Sequence, residues 1–174
     1  QAEGARRGVD KIFVAARVDV MDAHAPFDVV TMFNVMEHLN DPGDTLGRLH
    51  KLLRPGGLLV VETPDENGLV RSLARLAYRA SFRQVDVLNH FYALPPHHVY
   101  CFSHETLVRL LESRGFQAIA IEGLNAGPEF IKHGLKATRP GVRAATKSLL
   151  VDALLWSSDL LGGPTRLIAY ARRV

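Results

Sequence analysis

Cysteine is nearly absent from this 174-residue chain, and the lone Cys101 allows neither an internal disulfide nor a cysteine-based zinc site. That scarcity suits a reducing compartment and reads as a cytoplasmic chain. A charge surplus is lacking too: 21 Lys and Arg face 18 Asp and Glu, a net of +3. The pI near 9.2 comes from a small excess spread along the chain, not from a basic stripe, so nucleic acid is not an expected partner. No uninterrupted apolar run is long enough for a membrane span. The most apolar stretch, Leu149 to Trp156, lies in a window broken by Lys147, Asp152 and Asp159. The two aspartates are a heptad apart and share one side, which favours an amphipathic packing helix over a segment lying on a membrane surface. There is no internal repeat, no low-complexity tract, no initiator Met and no signal segment, and the start at Gln1 is expected to fall inside a longer chain. What is present, 47% hydrophobic residues with 14 Gly and 9 Pro scattered without period, supports a packed core in one domain or at most two small ones.

Gln1 to Arg7 reads as the last turns of a helix closed by Gly8. Ile12–Ala16 and Phe27–Phe33 read as short apolar strands, and their near-continuous apolar character predicts a sheet covered on both faces. Asp41 can cap a helix that has Pro42 in its first turn. Leu46, Leu49 and Leu53 fall on one face, and the helix is expected to stop at Arg54-Pro55-Gly56-Gly57 before a buried strand, Leu58–Thr63. Strand, helix, tight turn and strand make a parallel crossover unit, hence an α/β fold. Leu69, Leu73, Leu76 and Ala77 mark another helix. The long polar and aromatic stretch from Phe82 to Phe102 reads as a lid or binding loop. Ser103 caps a helix with Glu105 in its first turn and Leu107, Leu110 and Leu111 on its apolar stripe, and Gly115 ends it before a strand, Phe116–Ile121. A long helix over Val142–Leu161 and a closing strand over Thr165–Ala171 complete the chain.

Four pieces in order carry a resemblance: Phe27-Asp28-Val29-Val30; Glu37-His38-Leu39; Leu53 to Val61 (LRPGGLLVV) followed by Thr63-Pro64; and Phe102 to Leu107 (FSHETL) followed by Leu110-Leu111-Glu112 and Gly115-Phe116. Together these resemble the class I S-adenosylmethionine-dependent methyltransferases, in particular the branch that holds the ubiquinone-biosynthesis O-methyltransferases, over roughly Gly8 to Ile121. The resemblance implies a Rossmann-like sheet of order 3-2-1-4-5-7-6, with S-adenosylmethionine held by a glycine-rich turn after the first strand and a ribose-binding acid after the second. Neither feature is in this sequence, whose adjacent glycines are Gly56-Gly57 and Gly162-Gly163. The expectation is therefore a methyltransferase sheet lacking its first two strands, inactive as this fragment alone. Ile12–Ala16 would then pair with Phe27–Phe33 or leave an open edge. In that scheme 1–63 is the remaining cofactor-side core, 64–102 the lid and acceptor region, and 103–174 the C-terminal helix and strand units.

By the same resemblance Asp19 would accept from the adenine amino group and Val20 or Met21 would pack on the ring, against the alternative that Asp19 is a solvated loop acid. Asn34 and Val35, at the carboxyl end of a strand, would line the cofactor site. Glu37 and His38 would face the reaction, His38 as a general base, against a purely structural role for the pair. In ubiquinone-pathway relatives an acid three positions before the Glu-His pair joins it in binding a metal ion. Here that position is Asn34, a weaker neutral donor, and no metal site is expected. His90, Tyr92, His98 and Tyr100 are read as acceptor-binding residues of the lid. A metal reading of that histidine cluster is disfavoured by its spacing and by the want of a carboxylate placed beside it. Arg71, Arg75 and Arg79 could attract an acidic acceptor, though such a row is more often a solvated helix face.

The expected function is methyl transfer from S-adenosylmethionine to a small-molecule acceptor, most simply at oxygen. An activated sulfonium methyl asks mainly for orientation and exclusion of water. The rivals are a non-catalytic methyltransferase-like module that binds a partner through Val142–Leu161 and, more weakly, a nucleotide-sugar or nicotinamide Rossmann enzyme.

Overall fold

A computed structural model describes residues 18–80, 82, 98–124 and 164–174. Ile12–Ala16, the helix over Val142–Leu161 and most of the lid, His90 and Tyr92 included, lie outside the described residues. Within them the elements are a 3-10 turn (Val18–His24), β1 (Phe27–Phe33), a short 3-10 turn (Met36–His38), α1 (Pro42–Leu52), β2 (Leu53–Pro64), α2 (Leu69–Ala80), α3 (His104–Glu112), β3 (Phe116–Leu124) and β4 (Arg166–Arg173).

The four strands form one mixed sheet in the order β1-β2-β4-β3. β1 and β2 run parallel, with Val30 opposite Leu59 and Met32 opposite Val61, joined by α1 as the crossover. β4 inserts antiparallel between β2 and β3, placing Val60 opposite Tyr170 and Ala120 opposite Tyr170 from the other side. This is the 4-5-7-6 half of the expected order. The antiparallel insertion explains how the last strand of the chain comes to lie inside the sheet.

α1 forms for the reasons its sequence states. Asp41 has extended backbone and its carboxylate accepts from the Asp44 N–H at 2.8 Å, while Pro42 occupies the first turn. Leu46, Leu49 and Leu52 are buried. The expected boundary moves: Leu53 is not on the helix face but opens β2 with extended backbone. Arg54-Pro55-Gly56-Gly57 is not a turn outside the strand but an irregularity within it, where β2 advances from Leu53 to Leu58 while β1 advances from Phe27 to Val29. Gly56 takes φ +74°, and a Cβ on Gly57 would sit 2.8 Å from the Arg54 carbonyl oxygen, so the glycines permit a bulge where a reversal was expected.

The core gathers Val30 and Met32 of β1, Leu59 and Val61 of β2, Leu107 and Leu111 of α3 and Phe116 of β3, with α1 against them. β1 departs from the sequence expectation of two covered faces. Among the described residues Val30 and Met32 are buried, whereas Val29 and Phe33 are 50% and 51% exposed, so one face of β1 is covered and the strand edges the described sheet. Ser103 and Thr106 cap α3 reciprocally, each side chain accepting from the other's backbone N–H. No helix among the described residues is long and apolar enough to cross a membrane.

Candidate functional site

The chemistry-bearing side chains collect beyond the carboxyl ends of β1 and β2, where ligands sit in open α/β sheets. Asn34 leaves β1 with φ +54°, a left-handed conformation that asparagine tolerates, while its N–H donates to the Glu62 carbonyl at 3.0 Å. The chain then makes the short 3-10 turn. Fully buried Met36 anchors this turn and draws Glu37 inward to 1% exposure.

Glu37 is the hinge of the arrangement. Its Oε2 accepts from the Thr63 hydroxyl at 3.2 Å, whereas its Oε1 is buried without a hydrogen-bond partner and lies 4.0 Å from His38 Nε2. Its backbone carbonyl accepts from two amides of a distant segment, Val99 at 2.7 Å and Tyr100 at 3.1 Å. The Tyr100 hydroxyl donates to the Asn40 carbonyl at 3.1 Å, and Tyr100 stacks on Phe102. The segment from His98 to Phe102 is thereby pinned by its backbone to the loop between β1 and α1. This docking sets the His98 ring edge-on to His38, with 4.8 Å between ring centres.

Electrostatics follow from that burial. Desolvation pushes the Glu37 carboxyl above its ordinary range, opposed by a backbone hydrogen bond, His38, Thr63 and Arg166. Burial, seconded by the positive fields of His38, Arg71 and Arg166, lowers His98 to about 4. His98 is thus a neutral imidazole at pH 7. Two guanidiniums flank the region: Arg166 pairs with Glu62 at 3.0 Å, and Arg71, only 12% exposed, pairs with Glu66 and reaches Cys101 Sγ at 2.8 Å. Arg75 joins Glu66 at 2.8 Å. Arg71 and Arg75 therefore form an ion-paired edge of the site where the sequence suggested a solvated face.

The structure brings together four of the predicted site residues: Glu37, His38, His98 and Tyr100. It also corrects the view that no carboxylate stands beside the histidines, because Glu37, His38 and His98 each offer a donor atom and these atoms all lie within 4.8 Å of one another. Spacing could not show this, since the contact joins residues some sixty positions apart. Asn34 and exposed Val35 lie at the carboxyl end of β1, while Asp19 and exposed Val20 belong to the first 3-10 turn instead of a loop. Thr63 and Arg166 were given no role by sequence reasoning. The one available signal was a hydroxyl at the carboxyl end of a strand, just before Pro64.

A family model described as a methyltransferase domain matches residues 2–121. Among curated proteins, a ubiquinone biosynthesis O-methyltransferase of Bradyrhizobium sp. is 44% identical over 50 residues, which are 29% of this chain and 20% of that protein. The namesake enzyme of Caulobacter vibrioides is 35% identical over 83 residues, 47% of this chain and 33% of its own length. Such matches span a third or less of the curated relatives they involve. Among solved structures, the 1,6-didemethyltoxoflavin-N1-methyltransferase of Burkholderia thailandensis, with bound 1,6-didemethyltoxoflavin and S-adenosylhomocysteine, superposes with a TM-score of 0.51 at 18% identity. That superposition covers 99% of this chain and 55% of that one, and at such identity it speaks to the fold alone.

Proposed function

Because this chain belongs to the class I S-adenosylmethionine-dependent methyltransferase family, we propose that it takes part in transferring the sulfonium methyl of S-adenosylmethionine to a hydroxyl of a small-molecule acceptor. The observation that carries the reading is the docking of His98 and Tyr100 onto Glu37 and His38 at the carboxyl end of β1. In this reading those side chains accept a proton and contact the acceptor beside the bound cofactor. The naming of the curated relatives as O-methyltransferases favours oxygen as the atom methylated.

The described residues suit the cofactor's adenine side. Val20 and Val35 are exposed, offering apolar surface to a flat ring, and Asn34 turns the backbone sharply at the strand end. In this reading Asp19, Val20, Asn34 and Val35 line the cofactor, with Asp19 accepting from the adenine amine. When bound, S-adenosylmethionine supplies an electrophilic methyl. The protein's share is to align an acceptor oxygen with it and to keep water out. His98 and Tyr100, with His90 and Tyr92 of the lid, hold the acceptor. His38 takes the hydroxyl proton, and buried Glu37 orients His38.

The test is methyl transfer from labelled S-adenosylmethionine by the natural polypeptide carrying these residues, offered a panel of hydroxylated aromatic acceptors. We expect label on oxygen, and a loss of roughly 10²-fold or more in His38→Ala, the scale of general-base catalysis. Label confined to nitrogen or carbon, or full activity in His38→Ala, would contradict the reading.

A further inference from the structure

Methyl transfer leaves one nearly buried charge of this region without a task. Arg71, on α2, is only 12% exposed, and withdrawing a guanidinium from water is costly unless its N–H groups are matched. Glu66 serves one side. Its carboxylate is divided between Arg71 and Arg75, and Arg75 is committed a second time to the Glu66 carbonyl at 2.8 Å. On the other side Arg71 Nη2 donates to Cys101 Sγ at 2.8 Å. A thiol sulfur is a weak acceptor, and Cys101 is exposed. A charged donor is thus set against a neutral sulfur at the rim of the site.

We propose that Arg71 is a specificity residue of the acceptor site and selects an acceptor that carries a carboxylate, one oxygen of which takes the place of the Cys101 sulfur on Nη2. The inference rests on the proposed role of His98 and Tyr100 in holding the acceptor, and it names the class of molecule they hold. A hydrogen bond between a guanidinium and a carboxylate is charge-assisted and roughly twice as strong as a neutral one. Exchanging sulfur for a carboxylate oxygen therefore favours the bound acid.

Placement fits this use. Cys101 and His98 belong to one short segment whose backbone is held on two sides: the Glu37 carbonyl accepts from the Val99 and Tyr100 amides, and the Phe102 carbonyl accepts from the Glu66 amide at 2.8 Å. Three residues of chain span at most about 11 Å, so a single hydroxylated ring with its carboxylate can address both ends of the segment. The other acids of the region have partners of their own. Asp65 Oδ1 accepts from the Asn67 amide at 2.9 Å, Glu62 pairs with Arg166 at 3.0 Å, and Glu37 accepts from Thr63. Burial, with the fields of His38, Arg71 and Arg166, keeps His98 uncharged at pH 7. His98 thus offers a neutral ring to the hydroxyl end of the acceptor while Arg71 takes the acid end.

The experiment compares two probes of similar shape and unlike charge, meta-hydroxyphenylacetate and meta-hydroxyphenylacetamide. Their binding to the natural polypeptide in the presence of S-adenosylhomocysteine is read by ligand-observed NMR at neutral pH. We expect the acid to bind roughly tenfold tighter than the amide, the scale of one charge-assisted hydrogen bond, and the preference to vanish in Arg71→Gln. Should that variant fail to fold, Cys101→Asp keeps Arg71 and its pair with Glu66 but sets a carboxylate of the protein's own against Nη2. It should remove the preference as well, whereas Cys101→Ser should keep it. Equal binding of the two probes, binding of neither, or a preference intact in Arg71→Gln or Cys101→Asp would overturn the inference. Methyl transfer is not read here, so the two failures are distinguishable: equal probe binding with label still delivered to oxygen removes the role of Arg71 alone, and a clear charge preference without any methyl transfer removes the activity alone.

Discussion

Glu37 shows how a single side chain links local folding to chemistry. The buried Met36 beside it draws it into the protein, and Thr63 then holds one oxygen. Replacing Thr63 with the isosteric valine removes the donor and leaves the carboxylate less satisfied at unchanged volume. Urea unfolding of the metal-free protein should show a loss of about 1–3 kcal/mol. His98 allows a second test. Its folded pKa of about 4 lies below its ordinary 6.5, so between those values the unfolded chain takes up a proton that the folded chain refuses. Stability attributable to neutral His98 is therefore complete above about pH 6.5 and is lost as pH falls toward 4. Unfolding free energies of wild type and His98→Gln, measured in EDTA across that interval, should converge as pH drops. A gap that stays constant would contradict the assigned environment.

Among the elements, α1 and α3 were legible because their signals are local. Asp41 and Pro42 state where one helix begins, and Ser103 and Gly115 bracket the other. The end of α1 was less legible. Leu53 continues the leucine periodicity, yet it pairs with Phe27 as the first residue of β2, since a sheet partner outweighs a helical spacing of three or four. Gly115 offers the element-scale test. It stands at φ +79°, and a Cβ there would approach His50 Nε2 to 2.8 Å, while His50 packs edge-on against Phe116 at 5.4 Å. Gly115→Ala should cost roughly 1–3 kcal/mol from backbone strain and the displaced ring, read as a lowered Tm. An unchanged Tm would mean that the turn between α3 and β3 relaxes freely.

For the molecule as a whole, strand existence and α/β class were readable from apolar runs and the crossover between β1 and β2. The place of β4 between β2 and β3 came from the resemblance and its antiparallel direction from the structure alone, because no local signal in Arg166–Arg173 says which strands it will join or which way it will run. The candidate site was half legible. Glu37 and His38 are neighbours in sequence, but Thr63, His98 and Arg166 reach them only once the sheet is assembled, and side-chain chemistry at a distance leaves no spacing to read. If the carboxyl end of β1 with the loops around it holds the cofactor, titrating S-adenosylhomocysteine into the natural polypeptide that carries this sequence will show it. Saturable binding is expected by calorimetry, at least tenfold weaker in Val35→Asp, which would set a charge against the cofactor. Absence of binding by the folded protein, or affinity unchanged in Val35→Asp, would contradict it.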